Sequence, residues 1–453
     1  MDYLMEQSCY KKIGLALLLG IIGFGVGLLG FAPIHATLIG VLVFLVTLWT
    51  NDGLPLGVVS LLPIILFPAF GLLSTNATTT NYANPIIYLF LGGFLLAIAT
   101  EKIDLHKVIA SKILTLFPST PRGIILSLSF TSGILSSILS NTTTALLLIP
   151  IASFLTSHKI LKVRFILAIA YGASIGGIIT PIGTPPNMLM LGFMESKGMA
   201  MIPFVKWVAL VAPLAFVMLI AMSLLLSYGL HNVGKIGEIE EKHALTPDQK
   251  HLLWILGSLI VLLFVNSPIE PYYKGLGLDE KIILLSYGLL MFVPKIGVLT
   301  WADSKKVPYD IMFLFGAGFA IAAAFSKTGL ANEVATKLML IADFSPWLIL
   351  LIVATLMTFT TEVTSNTALI SITLPIIYSL AQAVGADTQL LMMVATICAS
   401  YAFMLPIATP PNAIAMSTGE VDVATMAKFG FVLNIVGIGL ITLTAMFYWK
   451  YFL

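Results

Sequence analysis

Apolar residues run in long blocks from Ile13 to Tyr448, separated by short polar breaks. A helix that crosses a bilayer needs roughly 20 consecutive apolar residues. On that template the blocks predict eleven spans, near 13–31, 34–50, 54–72, 85–100, 165–194, 203–229, 252–267, 281–295, 309–325, 389–417 and 426–449. The first block is long for a signal-peptide core and lacks a small-residue cleavage site, so it reads as a retained helix. Two further apolar stretches, 121–157 and 345–384, each carry a polar Ser-Asn-Thr centre. They read as re-entrant hairpins that enter and leave on one side.

Composition points the same way. Of 453 residues, 58% are hydrophobic and 10% charged, with a mean hydropathy of +1.03; a soluble domain carries about 25% charged residues. The net charge of +2 leaves no basic block for nucleic acid. Cys9 and Cys398 offer neither metal spacing nor a disulfide framework, and the six histidines lie mainly in loops or near span ends.

Basic residues set the orientation. Arg122, Lys159, Lys162 and Arg164 flank the first hairpin and place its ends in the cytoplasm. The second hairpin has no Lys or Arg between Lys337 and Lys428, so its ends are expected outside. The N-terminus is then cytoplasmic and the C-terminus external.

Shifting the sequence by 225 positions lays its second half on its first without a gap from Leu89 to Asn187. Leu89, Phe90, Gly93 and Phe94 fall on Leu314, Phe315, Gly318 and Phe319; Ser140-Asn141-Thr142 falls on Ser365-Asn366-Thr367. Thr184-Pro185-Pro186-Asn187 falls on Thr409-Pro410-Pro411-Asn412. Chance similarity between apolar helices scatters Leu and Ala matches but does not hold two polar motifs at one offset. Each repeat contains an odd number of spans, so the second is inserted upside down, the inverted-repeat design of secondary transporters. The expected fold is all-α and polytopic: an extra N-terminal helix (1–33), a first repeat (34–229), a cytoplasmic linker (230–251) and a second repeat (252–453). The repeats hold the hairpins and the broken helices 165–194 and 389–417.

Inside hydrocarbon, non-helical backbone survives only where protein or a water-lined cavity satisfies it. Pro185 and Pro186 lack amide hydrogens and would leave the carbonyls of Pro181 and Ile182 without helical donors. The carbonyls of Pro406 and Ile407 are freed in the same way. Such carbonyls suit a hard cation, and half-helix C-termini add negative potential. The Ser-Asn-Thr turns supply the complement: a half-helix beginning there presents amides and the positive end of its dipole, which suit a carboxylate. No Arg or Lys is placed to reach this centre, so co-bound cations would balance substrate charge. Glu362, beside the second turn, is a candidate proton relay or counter-ion, or else serves to hydrogen-bond the hairpin; its mate in the first repeat is Ser137. Gly92, Gly93, Gly316 and Gly318 read as close-packing positions, since no P-loop lysine follows.

At these residues the chain resembles the divalent-anion/sodium symporter family of sodium-coupled di- and tricarboxylate carriers, and the likeness covers nearly its whole length. The resemblance implies that Ser140, Asn141, Thr142, Thr184, Pro185, Ser365, Asn366, Thr367, Thr409 and Pro410 surround substrate. It implies one sodium ion at Ser136, Ser140, Asn141 and Gly183, and a second at Thr361, Thr364, Asn366 and Ala408. Thr364 departs from the family, which often has Ala there. The resemblance also implies a homodimer in the inner (plasma) membrane. Its scaffold would comprise about 1–118 plus 252–342, and a transport domain, about 119–229 plus 343–453, would move as an elevator.

These readings favour sodium symport of a C4 dicarboxylate such as succinate, malate or fumarate. Exchange of dicarboxylate or citrate without net sodium coupling is the alternative within transporters. A channel with two re-entrant loops is the alternative from another class. No nucleophile with an adjacent base is present at the centre, so an enzyme is not expected.

Overall fold

The computed structural model describes residues 2–51, 53–230, 245–268, 272–337 and 344–453. Most of the linker expected at 230–251 lies outside them. The described residues are helices and connections, in keeping with the all-α expectation.

The N-terminal part comprises α1 (Asp2–Leu28), α2 (Pro33–Asn51), the short α3 (Leu56–Leu61), α4 (Pro63–Ala69) and α5 (Thr75–Thr79), then α6 (Pro85–Lys102) and α7 (Leu105–Leu114). A helix pair follows, α8 (Pro121–Ser136) and α9 (Asn141–Phe154), then α10 (Lys159–Gly177), α11 (Pro185–Ser196) and α12 (Phe204–Ser227). The second half holds α13 (Pro247–Asn266), α14 (Glu280–Leu290), α15 (Tyr309–Thr328) and α16 (Leu330–Lys337). It ends with the pair α17 (Pro346–Thr361) and α18 (Asn366–Ala383), then α19 (Thr388–Ala399), α20 (Pro410–Ser417), α21 (Val423–Thr444) and α22 (Lys450–Phe452).

Among the described residues nine helices are long and apolar enough to cross a membrane, where the sequence predicts about eleven spans. The differences have local causes. Pro63 divides the expected span 54–72 into α3 and α4, each too short to cross alone. The expected span 281–295 keeps only the eleven residues of α14. The spans 165–194 and 389–417 are both broken at their Thr-Pro-Pro motifs; α10 keeps spanning length, neither piece of 389–417 does, and α18, within the stretch expected as the second hairpin, is counted among the nine.

Proline recurs at helix starts because its missing amide hydrogen is redundant there. Thr120 caps the helix begun by Pro121, and Thr246 forms a capping box with Gln249 ahead of α13. Gly329, with φ of 81°, ends α15 in a left-handed turn that redirects the chain into α16.

Small residues bring helices together. A Cβ at Gly176 would collide with the carbonyl of Gly133, so α10 lies directly on α8, and Ser132 Oγ donates to the Ile169 carbonyl at 2.7 Å across the same seam. Gly92 packs against the backbone of Leu284, Gly316 against the ring of Tyr82, and Gly318 against Ser371; these glycines serve close approach.

The packing is crossed between halves. α10 lies on α8 and α9, and α19 on α17 and α18. The half-helix α11 packs against α18 and α19 of the second half, while α20 packs against α9 and α10 of the first. One large apolar core around Phe165, Tyr171, Phe193, Trp207, Tyr401 and Phe403 holds this interlock. A second joins α1 and α2 to α15 through Leu38, Leu45, Ile321 and Phe325. Among the described residues, three lysine–carboxylate ion pairs also link the halves, Lys102–Asp303 at 2.6 Å, Lys162–Glu420 at 3.0 Å and Lys281–Glu195 at 2.5 Å, and His35 meets Glu333.

Candidate functional site

α8 and α17 have boundaries 225 residues apart at both ends, and α9 and α18 begin at Asn141 and Asn366 with the same offset. The turns before α9 and α18 and the breaks before α11 and α20 converge on one cavity of about 260 Å³. All ten residues expected to surround substrate line it: Ser140, Asn141, Thr142, Thr184, Pro185, Ser365, Asn366, Thr367, Thr409 and Pro410. Gly183 and Ala408 line it as well. The rest of the wall is apolar and includes Ile182 of the first break together with Phe90, Phe94, Met188 and Leu314, to which polar-motif reasoning gave no place at the site. No Lys, Arg, His, Asp or Glu is among the lining residues.

Four helices begin at this cavity, so four positive dipole ends face it. Ser140 caps its own helix by accepting from the Thr143 amide at 3.0 Å, whereas Ser365 makes no such cap. Thr409 accepts from the Asn412 amide at 3.4 Å, and Thr184 makes no side-chain cap. Each half therefore caps one of its two helix starts, the first half at the hairpin turn and the second half at the break.

Two pairs of the residues expected to hold cations are in hydrogen-bond contact. Ser136 Oγ donates to Asn141 Oδ1 at 2.5 Å, and Thr361 Oγ1 lies 2.6 Å from Asn366 Oδ1 and 2.8 Å from the Ala399 carbonyl. Ser136 and Thr361 are fully buried behind the cavity wall and join it through the two asparagines. A Cβ at Gly177 would touch Asn141 Oδ1, and one at Gly183 would strike the Gly177 carbonyl, so hairpin turn and break meet at these two glycines. Thr364 is outside the cavity lining, and its hydroxyl donates back to the Thr360 carbonyl at 3.0 Å. Among the described residues no donor reaches the carbonyls of Pro181, Ile182, Pro406 or Ile407, as the proline arithmetic requires.

Two asparagines noted in the sequence only as repeat landmarks turn out to brace the breaks. Asn187 Nδ2 donates to the Thr180 carbonyl at 2.9 Å and reaches that of Gly177 at 3.5 Å. Asn412 Nδ2 donates to the Leu405 and Ala402 carbonyls at 3.0 and 3.1 Å, the same pair of positions 225 residues on. Both side chains are fully buried, and each leaves its Oδ1 without a partner among the described residues. Their place in both Thr-Pro-Pro-Asn motifs was the available signal.

Glu362 is 3% exposed and acts as an acceptor throughout. Its carboxylate takes amides from Phe403 at 2.7 Å, Met404 at 3.0 Å and Leu405 at 3.1 Å, and the Asn434 side-chain amide at 2.7 Å. Of the three roles open to it from sequence this geometry is nearest to hydrogen bonding, but the bonds run to residues 403–405 and α21 and not to its own hairpin. Its target is the second break. The first break is tied differently, by Thr180 Oγ1 donating to the Ser137 carbonyl at 2.6 Å.

An all-helical membrane protein whose interrupted helices enclose a polar-tipped cavity without fixed charge is of the transporter class. The comparisons agree: residues 41–398 match the citrate transporter family model, and the chain belongs to that family. It is 32% identical to the sodium-dependent dicarboxylate transporter SdcS of Staphylococcus saprophyticus, over 95% of this chain and 90% of the relative. Against the SdcS of Staphylococcus aureus it is 33% identical, over 93% and 88% respectively. The resemblance to sodium-coupled di- and tricarboxylate carriers thus holds at the level of whole chains. Among solved structures, the YdaH transporter of Alcanivorax borkumensis matches with a TM-score of 0.57 at 13% identity, over 83% of this chain and 87% of that one. MtrF of Neisseria gonorrhoeae matches with a TM-score of 0.59 at 13% identity, over 82% and 83%. These two likenesses concern the fold alone.

Proposed function

We propose that this chain is a secondary active transporter that carries C4 dicarboxylates, such as succinate, malate and fumarate, together with sodium ions. The observation that carries the reading is the cavity itself: four helix N-termini and two Ser-Asn-Thr turns face it, and no basic side chain does. A dianion there gains amide and dipole interactions but keeps an uncompensated charge in a poorly screened interior. Bound cations remove that cost. Sodium, a hard cation, takes oxygen ligands, which the hydroxyls, Asn carbonyls and break carbonyls around Ser136, Ser140, Asn141 and Gly183 supply on one side. Thr361, Thr364, Asn366 and Ala408 supply them on the other. The names of the staphylococcal relatives, sodium-dependent dicarboxylate transporters, support the same pairing of ions.

The recurrence of helix boundaries and contacts at an offset of 225 supports two inverted repeats, with 121–157 and 345–384 as opposed re-entrant hairpins. In this reading the hairpins and broken helices form a transport domain. It moves as an elevator against a scaffold built from the early helices of each repeat, within a homodimer in the inner membrane and with the N-terminus cytoplasmic.

Thermal unfolding of purified protein tests the binding half of the proposal. Succinate is expected to raise the midpoint in sodium chloride and not in potassium chloride, and competition among succinate, malate, fumarate, citrate and sulfate ranks the cargo. Equal stabilisation in both salts would argue against coupled binding.

A further inference from the structure

The two halves repeat their contacts closely, and they depart from each other at Glu362. In the first break the amide of Ile179 bonds to the nearby Gly176 carbonyl at 3.0 Å, and Ser137 turns its hydroxyl to the Ile134 carbonyl of its own helix at 2.7 Å. One neutral bond, Thr180 to Ser137, joins hairpin turn to break. In the second half the three amides of Phe403, Met404 and Leu405 converge on the Glu362 carboxylate, and Asn434 adds a fourth donor from α21. Among the described residues no Lys, Arg or His pairs with this carboxylate. Hydrogen bonds to a charged acceptor are shorter and roughly twice as strong as neutral ones. The carbonyls of this break are held as well, those of Ala402 and Leu405 by Asn412.

We propose that Glu362 is a positioning residue for the second cation site, and that it makes the two cation sites unequal. The deduction rests on the sodium-coupled reading above. Glu362 directly follows Thr361 in the chain and grips residues 403–405, three positions before Ala408. It therefore fixes the hairpin-side ligands Thr361 and Asn366 relative to the break-side ligand Ala408 before any ion arrives. It also places a carboxyl group directly after Thr361, where the first half has Ser137 after Ser136. The first site is tied by the single neutral bond from Thr180 to Ser137 and has no carboxyl group in this place. The second site fills at the lower sodium concentration and without substrate; the first needs more sodium.

Sodium titration of the substrate-free protein, followed by thermal midpoint in mixtures of sodium and potassium chloride at constant ionic strength, tests this. Native protein is expected to show two sodium-dependent phases. In Glu362→Gln the low-concentration phase should move up by about tenfold or more, the scale on which partners of metal ligands act, while the high-concentration phase stays in place. Glu362→Asp keeps the charge and should restore part of the shift, and it decides the matter if the Gln variant fails to fold. Thr180→Val should move only the high-concentration phase. Unchanged low-sodium behaviour in Glu362→Gln, or in Glu362→Asp where Gln does not fold, would overturn the proposal. So would a shift of both phases together. A native protein with no sodium response would instead refute the coupled reading on which the proposal rests.

Discussion

Thr361 places its hydroxyl 2.6 Å from Asn366 Oδ1, and Ser136 stands in the same relation to Asn141 at 2.5 Å. A hydroxyl that donates to the amide oxygen keeps its own lone pairs free, while the amide nitrogen keeps its two donors. Each pair thus presents oxygen lone pairs on one side and N–H groups on the other. In the proposed mechanism this lets one asparagine serve a cation and a carboxylate together.

Asn141→Ala and Asn366→Ala are each expected to abolish uptake while the protein stays folded. The lost hydrogen bond costs about 1 kcal/mol of stability, too little to unfold the chain, whereas both ion contacts disappear. Uptake assays alongside gel filtration and circular dichroism check this; full transport in both variants would remove the site assignment.

Asn187→Ala and Asn412→Ala act on a different quantity. Each removes the donor that satisfies two carbonyls in a buried break, and unpaired buried polar groups cost about 1–3 kcal/mol. Lower thermal midpoints are expected for both in detergent.

Gly183 and Ala408 occupy equivalent positions, yet the two breaks do not tolerate the same side chain. A Cβ at Gly183 would run into the backbone of Gly177, while Ala408 already carries one and lines the cavity. Gly183→Ala should therefore sharply reduce uptake, with a packing cost of about 1–3 kcal/mol. Ala408→Gly should be far milder. Comparing the initial uptake rates of the two variants checks the asymmetry.

Much of this arrangement is legible in the sequence. Four broken elements could be located because proline and the Ser-Asn-Thr turns interrupt apolar runs where lipid allows no irregular backbone, and the common offset paired them. Span count was less legible, since Pro63 and the shortness of α14 act through local geometry that hydropathy averages away. The apolar wall of Phe90, Phe94 and Met188 was hidden because such residues look alike in core, lipid face and cavity. The bracing role of Asn187 and Asn412 was also hidden, since which carbonyls they reach depends on how each break folds back.

Outside the membrane segments, Lys102 donates to Asp303, and this bond, with help from the Thr300 amide, pulls the Asp303 carboxyl down to about 2. A carboxyl whose folded value lies below its unfolded one adds stability above the unfolded value and loses it as pH falls through the folded one. The Lys102–Asp303 tie should thus be intact from neutral pH to about 4 and lost toward 2. For a partly exposed pair it is worth about 0–1 kcal/mol. The midpoint difference between native protein and Asp303→Asn, followed from pH 7 to pH 4, should stay constant.

The central claim is that cations, not basic side chains, balance the charge of the carried anion. Uptake of labelled succinate into proteoliposomes with no internal substrate tests it most directly, comparing an inward sodium gradient with the same gradient of potassium. Saturable accumulation with sodium and none with potassium is the predicted result. Equal uptake in both salts, or uptake that requires dicarboxylate inside and ignores sodium, would contradict it.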